Sequence, residues 1–182
     1  MHLKFLFITI SFFLSFTVKA NEPEKHPIFA GGYQEAVFSV SDIEAQVKFY
    51  TEVAGWQILS EGTVPQRIIE AYSLPKDTSA REVVMGNPGT KRGFIRLIKF
   101  EDVDQVQIRS SAQSWDTGGI FDVNFRVLSM QEKFKEMQEY GWQSVSDPVE
   151  FTFGPFIVKE WLPRGPDGIV FAMIERVQPP LE

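Results

Sequence analysis

The 182-residue chain contains no cysteine. This absence excludes disulfide bonds, cysteine nucleophiles and cysteine-ligated metal sites. It also excludes a lipoprotein anchor, which needs a cysteine at the cleavage site. Burial of apolar groups must therefore stabilise the fold, and a hydrophobic content of 43% is enough to build a sizeable core. The length suits one domain of ordinary size.

Residues 1–20 have the composition of a secretory signal peptide. An apolar run from Phe5 to Val18, broken only by Thr and Ser, follows Lys4 and ends in a small-x-small cleavage motif. The run of about 14 residues is shorter than the roughly 20 that span a bilayer, which argues against an uncleaved anchor. We expect an exported protein, periplasmic or secreted, with a leader at 21–32 and one domain at 33–177.

Basic residues and histidine are scarce in the rest of the chain. Removing Lys4 and Lys19 lowers the formal net charge of −6 by two, to −8. An acidic protein is a poor partner for nucleic acid, whose phosphates attract basic surfaces. His26 is the one histidine that remains, and we interpret it as a solvated residue of the leader. Because zinc, iron and nickel sites favour imidazole or thiolate ligands, we expect no tightly bound transition metal.

Two parts of the chain repeat one pattern. A strand-like run precedes Ser-x-x-Glu at 41–44 and another precedes the same motif at 129–132. Ser three residues before Glu predicts a capping box at the start of a helix. Apolar residues at helical spacing follow each box. Each predicted helix ends at Gly-Trp-Gln, at 55–57 and 141–143, where glycine is a common helix stop.

Three strand-like runs follow each predicted helix, so each half reads β-α-β-β-β. They are Trp56–Glu61, Ala80–Asn87 and Gly93–Glu101 in the first half and Trp142–Val145, Phe151–Leu162 and Gly168–Glu175 in the second. An additional stretch at 65–72 predicts a short helix. The chain is thus predicted to be an α+β domain of two tandem βαβββ modules, 33–101 and 119–177, joined by a linker at 102–118. Side by side, the modules would form one curved mixed sheet with helices on its convex side and a cup on the other.

Alternation along the first strand of each half separates an apolar face from a polar one. The polar faces carry Glu35, Val37 and Ser39 in the first half and Ile120, Asp122, Asn124 and Arg126 in the second. We expect the apolar faces to pack on the helices and the polar faces to look into the cup. Simple exposure of the polar faces to solvent is the alternative.

The run Gln34 to Asp42, with Phe49-Tyr50 and Gly55-Trp56, resembles the opening of the glyoxalase/bleomycin-resistance/extradiol-dioxygenase proteins, the vicinal-oxygen-chelate superfamily. Pro-Asp-Gly at 166–168, before the last strand, resembles the closing turn of the same group. The resemblance covers residues 33–176 and implies the same duplicated fold that the internal repeat predicts.

The resemblance also implies four cup-facing positions, which hold the metal in metal-dependent members. In this sequence the positions correspond to Glu35, Arg96, Asp122 and Ala172, where the superfamily usually has His or Glu. Arg96 opposes a cation, since a positive charge about 4 Å away costs on the order of 4 kcal/mol at an effective dielectric near 20. We predict that Arg96 lies between Glu35 and Asp122 as an ion-paired cluster, with no resident cofactor. Weak binding of a divalent cation by the two carboxylates is the open alternative.

The first candidate function is metal-free binding of a small organic molecule with an anionic or carbonyl group, by a monomer or homodimer. The predicted apolar lining is Val37, Phe94, Ile98, Val170, Ala172 and Ile174, and the predicted orienting groups are Arg96, Asn124 and Arg126. Ordinary core packing is the alternative role for each apolar residue.

Three other functions remain open from the sequence. One is a metal-free isomerase, epimerase, cyclase or lyase in which Glu35 or Asp122 is the general base and Arg96 stabilises an enolate-like charge. A nearby arginine makes a carboxylate a weaker base, which is the difficulty of this scheme. Another is a metal-dependent enzyme of the glyoxalase or dioxygenase type, and the last is a purely structural or protein-binding role.

Overall fold

The structure, a computed structural model, describes residues 33–108, 122–144 and 146–179. The predicted signal peptide at 1–20, the leader with His26, residue Ile120 and the second part of the linker lie outside the described residues. In the described part of the chain, no helix is long and apolar enough to cross a bilayer.

The order of elements repeats the predicted module. Module one consists of β1 (Glu35–Ser39), α1 (Ile43–Glu52), β2 (Gln57–Thr63), α2 (Gln66–Ala71), β3 (Ser79–Gly86) and β4 (Phe94–Glu101). Module two consists of β5 (Val123–Val127), α3 (Met130–Glu139), β6 (Gln143–Ser144), β7 (Val149–Phe153), β8 (Phe156–Trp161), β9 (Pro163–Arg164) and β10 (Phe171–Gln178). The predicted α+β class and the tandem arrangement are confirmed.

Hydrogen bonding divides the strands into two four-stranded mixed sheets of equivalent order. One sheet runs β1-β4-β3-β2 and the other β5-β10-β8-β7, while β6 and β9 form a separate pair. In each sheet the first and last strands of the module are parallel neighbours, and the other neighbours are antiparallel. The predicted single sheet is therefore two sheets, with β1 and β5 as edge strands.

Two strands of module two differ from their sequence prediction. The predicted strand Phe151–Leu162 is a hairpin of β7 and β8, because Gly154, with φ +57°, and Pro155 form a turn between them. The predicted strand Trp142–Val145 contains only the two-residue β6, which lies outside the main sheet. Strand β7 consequently takes the place that β2 has in module one.

The helices begin where the sequence predicts, but with different capping groups. Asp42 is the N-cap of α1, and its side chain accepts a hydrogen bond from the backbone N–H of Ala45 at 3.0 Å. In α3 the Ser129 side chain makes no capping hydrogen bond. The N–H of Met130 donates instead to Oε2 of Glu175 on β10, at 3.0 Å. The predicted capping boxes thus marked both helix starts correctly, but the side chains that cap the helices are not the predicted ones.

One hydrophobic core joins the two modules. Helices α1 and α3 cover the faces that carry Leu97 on β4 and Phe171 on β10. The tryptophan of each Gly-Trp-Gln motif packs against the other module. Trp142 stacks on Phe49 with ring centroids 4.6 Å apart, and Trp56 meets the ring of Phe125 edge-on at 5.4 Å. We call the other face of each sheet, turned away from α1 and α3, the open face.

Helix α2 lies on the open face of module one. Its Ile69 is completely buried and packs in one cluster with Ala80 of β3 and Ile98 of β4. Alternation puts Ile98 on the side of β4 opposite Leu97, which belongs to the main core. The predicted short helix at 65–72 is therefore present, and it covers one end of the open face in module one.

Candidate functional site

The strand registers show which of the four positions that the resemblance singled out are equivalent in the two modules. Those positions are Glu35, Arg96, Asp122 and Ala172. Arg96 lies opposite Val37 across β4 and β1, and Ala172 lies opposite Asn124 across β10 and β5. Glu35 precedes Val37 by two residues, as Asp122 precedes Asn124. Arg96 and Ala172 are therefore equivalent positions in the two modules, and so are Glu35 and Asp122.

Arg96 is the centre of an ion-paired cluster in module one. Its guanidinium donates to both carboxylate oxygens of Glu35, at 3.0 and 3.2 Å, and to Oε2 of Glu82 at 2.6 Å. The three side chains are between 23% and 28% exposed. The hydrogen bond with Glu35, followed by that with Glu82, raises the pKa of Arg96, although partial burial acts in the opposite direction. Two carboxylates around one guanidinium leave the cluster with a net negative charge.

The predicted pair of Arg96 and Glu35 is present, but the second partner is Glu82 and not Asp122. Glu82 faces the open side because it lies opposite Ile98 in the register of β3 and β4. A sequence signal for it existed: a single acidic residue alternates with the apolar residues of β3, and a partly buried charge needs a partner. A guanidinium already shared by two carboxylates is a poor receptor for an anionic ligand. The cluster therefore ties β1, β3 and β4 together.

A cavity of about 350 Å³ lies where the two modules meet. Strand β1 and the residues after it contribute Val37, Ser39 and Ser41, the linker contributes Gln105 and Gln107, and module two contributes Asp122, Asp167 and Val170. Three of the predicted site residues, Val37, Asp122 and Val170, thus line one space. The cluster around Arg96 is not part of this lining.

Asp122 is the first of the two carboxylates that the described lining of the cavity contains. Burial raises the pKa of the Asp122 carboxyl above its ordinary value. Its carboxylate makes no hydrogen bond or ion pair with any residue in the described ranges. Among the described residues of the lining there is no lysine, arginine or histidine. The cavity is therefore acidic.

Asp167, the second carboxylate of the cavity, is fully engaged. Its Oδ1 accepts from the N–H and the hydroxyl of Ser41, at 3.1 and 2.6 Å, and its Oδ2 accepts from Nε2 of Gln46 at 3.2 Å. The Pro-Asp-Gly turn of module two thereby holds the start of α1 in module one.

The linker crosses the edge of the cavity. Gln105 donates through Nε2 to the hydroxyl of Ser39 at 2.7 Å, and Gln107 donates through Nε2 to the carbonyl oxygen of Pro166 at 3.2 Å. The two bonds connect β1 with the Pro-Asp-Gly turn, so residues 105–107 form one wall of the cavity.

The open face of module two carries the other predicted site residues in two adjacent rows. A polar row consists of Asp122, which directly precedes β5, and of Asn124 and Arg126 on β5. An apolar row consists of Val170, which directly precedes β10, and of Ala172 and Ile174 on β10. Val170 and Ala172 are buried, whereas Ile174 is partly buried. Asn124 lies opposite Ala172, and Arg126 lies opposite Ile174. Asn124 and Arg126 are exposed.

Strand β7 adds aromatic groups that the sequence analysis did not include. Val149, Phe151 and Phe153 are 57%, 39% and 69% exposed. Val149 pairs with Glu160 of β8, and Glu160 pairs with Ile174 of β10. Paired residues lie on the same face of a sheet, so the alternate residues of β7 lie on the open face with Ile174. The alternation of Val149, Phe151 and Phe153 was the available signal. Merging β7 with β8 into one predicted strand concealed it.

Two predicted lining residues of module one serve in packing. Ile98 is buried beneath α2 and packs there against Ile69 and Ala80. The ring of Phe94 lies over Gly86, where an added Cβ would come within 2.8 Å of the ring. Gly86 thus lets Phe94 lie flat on β3, partly withdrawn from the open face.

The donor groups do not fit the metal site of metal-dependent relatives. Within the described ranges, no three His, Asp or Glu side chains lie close enough together to hold a metal ion. A guanidinium stands at one of the four positions, and Ala172 offers no donor at another. Glu35 is held by Arg96, while Asp122 lies in the separate cavity.

Solved structures of glyoxalase-type proteins resemble this chain. A glyoxalase family protein from Bacillus cereus matches with a TM-score of 0.66 and 17% identity, over 79% of this chain and 92% of that one. Glyoxalase I from Zea mays matches with a TM-score of 0.56 and 20% identity, over 79% of this chain and 44% of that one. A glyoxylase/bleomycin resistance protein/dioxygenase domain from Frankia sp. EAN1pec matches with a TM-score of 0.55 and 17% identity, over 83% and 95%.

No protein-family model matches the sequence, and no curated protein matches it. At these identities the likeness to solved structures establishes the fold alone. The repeated βαβββ modules, their parallel first and last strands and these structural matches agree: the chain has the vicinal-oxygen-chelate fold.

Proposed function

We propose that this is an exported protein that binds a small organic molecule with an anionic or carbonyl group, without a tightly bound transition metal. The site is the open face of module two together with the adjoining cavity. The observation that carries the proposal is the exposed pair Asn124 and Arg126 on β5, with the partly buried Ile174 of β10 and the exposed aromatic groups of β7 on the same face.

Arg126 is the group that orients the anion or carbonyl. It is exposed, and among the described residues it has no ion-pair partner, whereas Arg96 already serves two carboxylates. A free guanidinium binds a carboxylate through two parallel hydrogen bonds. Asn124, two residues earlier on the same face, supplies an amide to a neighbouring polar group.

Apolar contact with the body of the molecule comes from β7 and β10. Exposed Phe151 and Phe153 offer aromatic surface, and Ile174 offers aliphatic surface on the same face. Ligand sites are mostly apolar, with a few polar groups that fix orientation. Contiguous exposed apolar groups of this kind mark a binding surface.

Isothermal titration with 4-phenylbutanoate and its uncharged amide tests this proposal. We expect the acid to bind more tightly than the amide, and Arg126→Gln to weaken binding of the acid by about tenfold or more, since a charge-assisted hydrogen bond contributes about 1.5–3 kcal/mol. Arg92→Gln, which changes an exposed arginine in the turn of module one, is the matched control and leaves binding unchanged. Equal affinity of Arg126→Gln and the wild type for the acid would contradict the proposal.

Acid–base chemistry by Asp122 is the second candidate function. Burial raises the pKa of Asp122, which brings it closer to the range where a carboxylate is an effective general base. Glu35, the other predicted base, is held by Arg96 through two hydrogen bonds. In heavy water, NMR should show exchange of the hydrogens next to the carbonyl of a bound 2-oxo-4-phenylbutanoate, and Asp122→Asn should abolish it while Glu35→Gln retains it. Absence of exchange above the uncatalysed rate in the wild type would eliminate this scheme.

Export rests on residues 1–20 alone. Sequencing the N-terminus of protein recovered from a bacterial periplasm should give a mature chain that begins at Asn21. Recovery of the intact N-terminus in the membrane fraction would contradict this part of the proposal.

A further inference from the structure

We propose that the ligand is an elongated zwitterion, whose cationic group pairs with Asp122 in the cavity while its anionic group pairs with Arg126 on the open face. This inference rests on the proposed function and specifies the chemical class of its ligand. It follows from three observations: the negative charge of the cavity lining, the hydrogen-bond acceptors in that lining that have no donor among the described residues, and the spacing of residues along β5.

The cavity favours a positive charge. Two carboxylates line it, and no lysine, arginine or histidine among the described lining residues balances them. Asp167 accepts three hydrogen bonds from Ser41 and Gln46, whereas Asp122 accepts none in the described part of the chain. A partly buried carboxylate without a partner gains most from an ion pair. Asp122 is therefore the acceptor that a ligand would find unsatisfied.

The neighbouring polar groups suit an ammonium in particular. Gln105 and Gln107 each donate through Nε2 to the protein, and their Oε1 atoms receive no hydrogen bond from the described residues. An ammonium has three N–H donors and no acceptor. One carboxylate and two amide oxygens in the lining of the same space match that requirement.

The geometry of β5 sets the distance between the two charges. Asp122 and Arg126 are four residues apart on one face, which corresponds to about 13 Å between their Cα atoms at roughly 3.3 Å per residue. Beside this interval Ile174 is partly buried and lies next to Arg126, while Val170 and Ala172 are buried. A ligand whose two charges are separated by a distance of this order, with an aromatic or aliphatic body between them, spans both ends. A lone carboxylic acid or a lone amine satisfies only one.

A set of three matched probes tests the inference. The zwitterion 4-[4-(aminomethyl)phenyl]butanoic acid carries both charges, 4-(4-methylphenyl)butanoic acid lacks the amine, and 4-[4-(aminomethyl)phenyl]butanamide lacks the carboxylate. Each is titrated calorimetrically into the full chain and into its Asp122→Asn and Arg126→Gln variants, and thermal melts establish that both variants are folded. We expect the zwitterion to bind the wild type about tenfold or more tightly than either partner probe.

The variants assign each charge to its residue. Asp122→Asn should remove the advantage of the zwitterion over the acid without the amine, and should keep its advantage over the amide. Arg126→Gln should do the reverse. If the acid without the amine binds the wild type as tightly as the zwitterion, the zwitterion inference fails while the proposed anion site stands. If Arg126→Gln leaves the affinity for both acids unchanged, or no probe binds the wild type at millimolar concentration, the proposed function fails as well.

Discussion

The two modules share a strand order but differ on their open faces. In module one, α2 covers Ile98, and Arg96 is enclosed by Glu35 and Glu82. In module two no helix in the described ranges covers the corresponding surface, Ala172 replaces the arginine and Arg126 is exposed. The open face is thus packed and ion-paired around Arg96 in one module, whereas in the other Ala172 is buried but Asn124, Arg126 and the alternate residues of β7 are exposed.

The helix-covered faces have not diverged in this way, and the reason is physical. Trp56 and Trp142 each pack against the opposite module, so the two copies share a single core and a change in one disturbs both. On the open face of module one, by contrast, the described clusters around Arg96 and Ile98 consist of residues of that module alone. The difference teaches that the two copies of a duplicated module stay similar on the faces that contact each other. On the faces that do not, each copy can acquire a separate role. Under the proposed function, one chain should bind one ligand.

Replacement of the two motif tryptophans should give the largest effect and test how symmetric the shared core is. Trp142 is buried, stacks on Phe49 with ring centroids 4.6 Å apart and contacts the tilted ring of Phe171 at 4.4 Å. It lies so close to Gly165 that a Cβ added there would come within 2.9 Å of the indole. We expect Trp142→Ala to lower the free energy of unfolding by about 3–5 kcal/mol, and the half-buried Trp56→Ala to lower it by about half as much. Urea denaturation measures both, and equal losses would show that the core depends on the two modules equally.

The arginine clusters of module one should give an intermediate effect. Arg96→Ala leaves Glu35 and Glu82 facing each other, partly buried, and should lower the free energy of unfolding by about 1–2 kcal/mol. Arg81 also contacts two glutamates, Glu44 and Glu61, but all three of those side chains are more exposed. Arg81→Ala should therefore cost less than about 0.5 kcal/mol.

Adding Glu82→Gln to Arg96→Ala separates charge repulsion from lost packing. The double variant should recover part of the stability that Arg96→Ala loses, because one of the two opposed carboxylates is gone. No recovery in urea denaturation would mean that the guanidinium acts mainly by filling space.

Substitutions of the equivalent carboxylates Glu35 and Asp122 should change the stability in opposite directions. Glu35→Gln removes a partner of Arg96 and should destabilise the fold by about 1 kcal/mol. The folded-state pKa of Asp122 is raised, so the folded state binds its proton more tightly than the unfolded state does. The wild type therefore loses stability as the pH rises through that pKa, and Asp122→Asn avoids the loss.

Thermal unfolding at two pH values checks this difference. At pH 7, Asp122→Asn should be more stable than the wild type by a few tenths of a kcal/mol, or about 1 °C, because solvent screens a partly exposed carboxylate. Near pH 3 the difference should vanish, since Asp122 is then protonated in both states. A variant that is less stable than the wild type at pH 7 would show that the carboxylate has a stabilising partner.

Most of the fold was predictable because local sequence patterns determine it, and each of these patterns occurs twice. The capping motifs, the two Gly-Trp-Gln stops and the alternation on β1 and β5 each depend on neighbouring residues only. The turn at Gly154-Pro155 also depends on neighbouring residues only. It was missed because the apolar residues from Phe151 to Leu162 were interpreted as one long strand. The cap of α3 could not be predicted, since Glu175 reaches it from the far end of the module.

The site was less predictable because its partners come from different strands. Alternation along the first strands assigned Glu35 and Asp122 to the cup side, and the resemblance assigned Arg96 to it, but neither indicated which of the three side chains meet. Glu82 joins the cluster through the register of β3 with β4, and the burial of Ile98 depends on how α2 folds back. Such contacts depend on tertiary structure, which a single sequence does not specify residue by residue.

The position of Phe171 has a consequence for how the protein is made. Its ring lies within 4.4 to 6.4 Å, between centroids, of the rings of Trp142, Phe125, Tyr50 and Phe49. During synthesis this aromatic cluster lacks its centre until β10 leaves the ribosome. Contacts across so long a stretch of chain form slowly, because distant segments must first meet. Under the proposed export, a core that closes only with β10 suits a chain that must pass through a channel before it folds.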